Sequence, residues 1–124
     1  MDPDEVVGAQ FRVHRSTAGY VRCDHPDGAK VTGEDAREVL QAIASLANGP
    51  STPVLVDLRG THSVSREARK TFASSTVPSR IAMFVQSPVS RVIANFFLGV
   101  SGPNVPTKLF TDLDDAQRWL LDDQ

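Results

Sequence analysis

The chain has 124 residues, of which 40% are hydrophobic and 23% charged, and its formal net charge is −2. That size and balance suit one core that folds without staples, and they exclude a disordered chain. A pI near 5.8 gives no whole-chain reason to expect nucleic acid or an anionic membrane as partner.

Residues 1–8 are expected as a lead-in tail and 9–124 as a single domain. The opening Met-Asp-Pro-Asp-Glu is acidic, where a secretory leader would be basic and then apolar. No apolar stretch approaches the ~20 residues that span a bilayer. With one cysteine, Cys23, no internal disulfide forms. The expected setting is the cytoplasm, with Cys23 as a small buried hydrophobe.

Gln10–Arg15 and Tyr20–Cys23 read as two short strands joined by Ser16–Gly19, a hairpin in which Phe11 and Val13 share one face of the first strand and Val21 and Cys23 one face of the second. His25-Pro-Asp-Gly-Ala is a turn signal. Thr32–Asn48 is the clearest helix, with Thr32 and Asp35 at capping-box spacing. Ala36, Val39, Leu40, Ile43 and Ala47 form its apolar stripe, and Asn48-Gly49-Pro50 stops it. Pro53–Leu58 is an apolar run with little alternation, as in a strand covered on both faces.

Ser65–Ser75 is the second helix, its thin stripe made by Val64, Ala68 and Phe72. Arg80–Gln86 is another continuous apolar strand. Ser87 as N-cap and Pro88 at the first helical position open a third helix. Its expected stripe is Val89, Val92, Ile93, Phe96 and Val100, and Gly99 or Gly102 ends it. Leu98 falls opposite Phe96, beside Arg91 and Ala94. Either the helix ends early and Leu98 tucks into the following loop, or Leu98 meets a second chain or a ligand. Pro106–Phe110 is the last strand, and Thr111 is expected to cap a final helix, Asp112–Asp122, that buries Leu113, Ala116 and Leu120. The order β-β-α-β-α-β-α-β-α implies a mixed five-stranded α/β sheet with four helices. Strands three to five are parallel and the opening hairpin extends one side.

The histidines His14, His25 and His62 have no second ligand at a metal-binding spacing, and no cofactor is expected. Phosphate-cradling glycine runs and a Gly-x-Ser-x-Gly elbow are absent. Asp57 ends an apolar strand, where receiver domains carry a phosphoacceptor. The first strands, however, offer Arg12, His14 and Arg15 where receivers place metal-holding acids, so Asp57 is expected to bond backbone amides or an arginine. The carboxyl ends of the parallel strands define a rim with Asp57, Arg59, His62, Ser63, Ser65 and Arg66 as candidate contacts, joined by Ser87 and Thr111. Ser65, Ser87 and Thr111 are also explained as helix caps. Arg69 and Lys70, with Arg66, make a basic face on the second helix. With Arg91, Ala94 and Leu98 they form a candidate interface.

The opening hairpin, the helix, Val54-Leu-Val-Asp-Leu58 and the loop that enters a helix with Ser63 and Ser65 resemble the STAS domain, which includes anti-sigma-factor antagonists of the SpoIIAA type. Ser87-Pro-Val-Ser-Arg-Val-Ile-Ala-Asn-Phe-Phe-Leu-Gly99 resembles STAS/SEC14-like proteins of unknown role. The resemblance implies a SpoIIAA-like fold. It also implies a non-enzymatic regulatory module that docks a protein partner or a second copy of itself. Partner-switching members carry a phosphorylated serine in Asp-Ser-Ser/Thr-Gly at the start of the second helix. Here that stretch reads Val64-Ser-Arg-Glu-Ala68, leaving Ser63 and Ser65 as acceptors by proximity alone. The alternative is a small-ligand domain that binds an anion or lipid-like molecule at the rim or under the third helix. Neither nucleic acid nor membrane insertion is expected.

Overall fold

A computed structural model of the chain describes residues 4–47, 51–75, 77–98 and 104–122, apart from the Phe96 side chain. Its main sheet has six strands in the order β1-β2-β3-β5-β7-β8: Glu5–Val7, Arg12–Arg15, Val21–Asp24, Thr52–Asp57, Pro78–Phe84 and Thr107–Phe110. β1, β2 and β3 pair antiparallel, and β3, β5, β7 and β8 run parallel. Two further strands, β4 (Ala29–Val31) and β6 (Thr61–Val64), pair with each other in a separate parallel sheet. The helices are α1 (Gly33–Leu46), α2 (Arg66–Ser74), α3 (Pro88–Phe96) and α4 (Leu113–Leu121).

The mixed α/β class, the parallel strands and the opening hairpin match the expectation, but the strand count is larger. Residues 5–7, expected as part of a tail, are an edge strand, because Val6 packs on the core while the Glu5 carboxylate reaches Arg12 across the pair. Gly19 closes the β2–β3 hairpin with φ +109°, a conformation that L side chains rarely adopt. β4 and β6 are held together at their start by the Gly28 amide, which donates to the Gly60 carbonyl at 2.8 Å. There a side chain at Gly60 would stand 2.5 Å from Asp27 Oδ1.

Strand alternation divides the core. Val13, Val21, Cys23 and Val54 face α1, packing with Val39, Ile43 and Leu46. Ile81 and Met83 face α2 and α3 through Ala73, Ala94 and Phe97. On the opposite face Tyr20, Leu55, Ala82 and Phe84 meet Ala116 and Leu120 of α4. The Thr32 hydroxyl accepts from the Asp35 amide at 3.2 Å and the Asp35 carboxylate accepts from the Thr32 amide at 2.9 Å, so the capping box forms as spaced. At the other end of α1 no basic residue lies in the last turn. Arg15 of β2 instead donates to the Leu46 carbonyl at 3.0 and 2.7 Å, filling an acceptor that the helix leaves open. Asn48, Gly49 and Pro50 lie outside the described residues.

Two helix expectations are corrected. The cap of α4 is Asp112 rather than Thr111, because the Asp112 carboxylate accepts from the Asp115 amide at 3.0 Å. In α3 the buried stripe is Ser90, Ala94 and Phe97, while Val89 and Val92 face outward. Ser90 sets the rotation. Its hydroxyl accepts from the Gln86 and Ser87 amides at 3.2 and 3.1 Å and donates to the Ser87 carbonyl at 3.0 Å, so it must point back under the helix start. Ala94 then lets the helix approach Met83 and Val85 closely. Gly99, Val100 and Gly102 lie outside the described residues.

Candidate functional site

The residues expected on one rim occupy two separate places. The first is on the α4 side of the sheet. Asp57 ends β5 with 8% exposure. Its carboxylate accepts from Arg22 Nη2 at 2.9 Å, from Arg59 Nη2 at 2.7 Å and from the Arg59 amide at 3.0 Å. Arg22 also donates to Asp24 at 2.8 Å, and Asp24 contacts His14 Nε2 at 3.2 Å. Arg59 lies over the Phe84 ring at 4.6 Å, which fixes the fork from above. Burial alone would push the Asp57 carboxyl up. Hydrogen bonds from Arg59, and then the charges of Arg59 and Arg22, outweigh it and hold the carboxyl below the usual range. With both oxygens engaged, Asp57 works as a clamp between strands β3 and β5.

Below this cluster Cys23 Sγ lies 3.9 Å from His25 Nε2, and His25 Nδ1 contacts the Asp57 carbonyl at 3.1 Å. Burial pushes the Cys23 thiol up. Burial also pulls His25 down, against the Asp57 carbonyl and the nearby carboxylates. Both shifts run against a thiolate–imidazolium pair, so the contact is between a neutral thiol and a neutral ring. Among the described residues no group of three or more His, Cys, Asp or Glu could hold a metal ion.

The second place is on the α1–α3 side. His62 and Ser63 are exposed on β6, and Val64 is half-buried. They form one wall of a groove of about 400 Å³ whose other wall is α3, through Val89, Val92 and Ile93. Arg69 also lines it, its Nη1 donating to the Val64 carbonyl at 2.8 Å. Ser65 caps α2, its hydroxyl accepting from the Ala68 amide at 3.0 Å. Arg66, Lys70 and Arg91 are exposed. Ala94 is fully buried and cannot take part in an exposed interface. Leu98 packs, half-buried, against the Met83 cluster. Inside the groove Val64, Arg69 and Ile93 also line a cavity of about 60 Å³ between the sheet and α1, α2 and α3.

Sequence reasoning missed Arg22 as a partner of Asp57, and Asp24 and His14 as the groups behind Arg22, although Val21-Arg-Cys-Asp24 alternates and places both charges opposite Cys23. It also assigned Val89 and Val92 to the buried stripe. Ser87 and Ser90 stand at cap and third position, a spacing that turns Ser90 inward and both valines out.

A family model described as "Domain of unknown function (DUF7793)" matches residues 16–123. Among solved structures, an uncharacterized DUF3478-family protein with a SpoIIAA-like fold from Shewanella loihica PV-4 is similar at 20% identity. The match covers 93% of this chain and 98% of that one, with a TM-score of 0.60. A protein with unknown function from Arthrobacter sp. FB24 is 40% identical over 90% of this chain and 99% of its own, with a TM-score of 0.36. No curated protein matches. The first of these likenesses establishes the fold as SpoIIAA-like. No helix among the described residues is long and apolar enough to cross a membrane.

Proposed function

The chain belongs to the DUF7793 family, a domain of unknown function, and from that premise and its SpoIIAA-like fold we propose that it is a non-enzymatic module that docks a protein partner on the ridge of α3 and the exposed side of β6. The observation that carries this reading is the exposure of Val89 at 49% and Val92 at 64%. At i and i+3 the two valines stand side by side on one helix face, beside the exposed Pro88. Folding alone gives no return for that arrangement, whereas a partner that covers them recovers their burial. The surroundings fit an acidic partner. Arg66, Lys70 and Arg91 are exposed on α2 and α3, while Asp112, Asp114, Asp115 and Asp122 cluster at α4 on the other face of the sheet.

Val92→Asp is expected to leave folding within about 0.5 kcal/mol, because the side chain is already solvated. A residue at the centre of an interface loses about 2 kcal/mol or more on disruption, roughly thirtyfold in affinity. The immobilised wild-type chain should therefore retain a polypeptide, or a second copy of itself, that the Val92→Asp chain releases. Equal retention by both, or retention by neither together with a monomeric sedimentation profile, rejects the reading.

A second reading, a small apolar ligand held under α3, has less support, because the cavity behind Ile93 and Phe97 is about 60 Å³, against roughly 150 Å³ for a cavity that holds benzene. A ligand at about 100 times its dissociation constant should raise stability by roughly 2.7 kcal/mol. No thermal shift across a broad library of apolar acids and alcohols rejects it.

A further inference from the structure

We propose that His25 is an acid-sensitive latch: its neutral ring holds the turn of residues 25–28, and with it the β4–β6 sheet that walls the docking groove, and protonation loosens both. What the latch controls rests on the docking reading above; the latch itself rests on what surrounds the ring. The Asp57 carbonyl, 3.1 Å from Nδ1, can only accept, so Nδ1 carries the ring hydrogen. Nε2 then presents its lone pair to Cys23 Sγ at 3.9 Å, where a buried thiol that stays protonated offers its S–H. A second ring proton removes that lone pair and sets N–H against S–H. His25 also lines the cavity of about 60 Å³ with Val31 of β4, Val64 of β6 and Leu58, which give an added charge no acceptor.

The charged groups nearby have other partners. Asp57 is held by Arg22 and Arg59, Asp24 by Arg22 and His14, and Asp35 by the amide and hydroxyl of Thr32. Asp27 stands against Gly60, and Arg69 of α2 lines the same cavity with a charge of the imidazolium's own sign. Burial pulls the ring below the ordinary histidine range, and the Asp57 carbonyl and the carboxylates of Asp24, Asp57 and Asp35 recover only part of that. The turn transmits the change over a short path. Pro26, Asp27 and Gly28 join the ring to β4. The Ala29 amide donates to the Pro26 carbonyl at 3.1 Å and the Gly28 amide to the Gly60 carbonyl at 2.8 Å. β4 then pairs with β6, and Val64 of β6 lines both the cavity at His25 and the groove at α3.

The sign follows from the two states of the ring. An opened turn exposes a histidine that protonates near the ordinary value of about 6.5, above the closed one. The latch is therefore fully closed above that pH and weakens as pH falls toward the closed ring's value. Asp57, held below the usual carboxylate range, is still ionised at pH 5. The test is amide exchange of the full chain at pH 7.5 and 5.0, corrected for the intrinsic rate, with the His25 ring followed by proton NMR. Protection of Gly28, Ala29 and Ser65 should fall at least threefold at pH 5.0, with a ceiling of roughly thirtyfold set by about 1.5 pH units. Ile81 and Val85, whose amides bond to Pro106 and Phe110, should keep theirs. His25→Gln, which keeps an N–H for the carbonyl and gains no charge, should lose none. If that variant does not fold, the wild-type ring titration and exchange decide. A ring that titrates at or above about 6.5, an equal loss in His25→Gln, or an equal loss at Ile81 and Val85 overturns the latch. These readouts need no partner, so the latch can fail while Val92→Asp still releases a polypeptide, and can hold where none is retained.

Discussion

Asp57→Asn should cost about 2–3 kcal/mol at neutral pH. The carboxylate is nearly buried and accepts from Arg22, from the Arg59 guanidinium and from the Arg59 amide, so the amide variant leaves donors facing donors. Arg59 is partly solvated and Arg22 keeps Asp24, which holds the loss below that of a fully isolated buried pair. The penalty depends on pH with a definite sign. The folded carboxyl is held below its unfolded value of about 3.9, so the unfolded chain binds more protons in that window and stability falls as pH falls. The stabilisation is complete above that pH and is lost as the folded group titrates. Urea melts of both proteins should therefore differ most at pH 7 and converge progressively below about pH 4. A gap that stays constant with pH, or one under about 0.5 kcal/mol at pH 7, contradicts the clamp.

Leu120→Ala should cost about 3 kcal/mol and Leu121→Ala less than about 1 kcal/mol. The two leucines are adjacent, yet Leu120 is fully buried against Leu55, Phe84 and Tyr20 while Leu121 is 43% exposed. Deleting Leu120 opens a void under α4 that the sheet cannot close, since Leu55 and Ala82 beneath it are fixed in the central strands. Denaturant midpoints at unchanged slope read the difference. Equal losses would mean that α4 packs on another face.

What the sequence made legible follows from strong local signals. Thr32 and Asp35 cap α1 because that spacing lets each serve the other's amide. The runs at β5 and β7 read as strands covered on both faces because apolar residues occupy both parities, and the helices between them impose parallel pairing. Signals that compete were not legible. Thr111 and Asp112 are both good caps, and only the position of the Asp115 amide decides between them. β4 and β6 are three and four residues long, too short for alternation to stand out, and among the described residues each has the other as its strand partner. In α3 five apolar residues suggested a stripe, but two buried small residues, Ser90 and Ala94, fix the rotation instead. The expected rim is divided because β5 and β6 belong to different sheets: Asp57 and Arg59 join β3 on one side, while His62 and Ser63 line the groove against α3 on the other, with Arg69 of the expected interface.

The docking role rests on the valines of α3 meeting another polypeptide in the cell. A photo-crosslinking residue placed at position 92, with a control at position 115 on α4, reads this directly in the cells that make the protein. The expected result is a discrete protein adduct from position 92 that disappears when Val89 is changed to Asp, and none from position 115. No adduct from 92, or the same adducts from both positions, contradicts it.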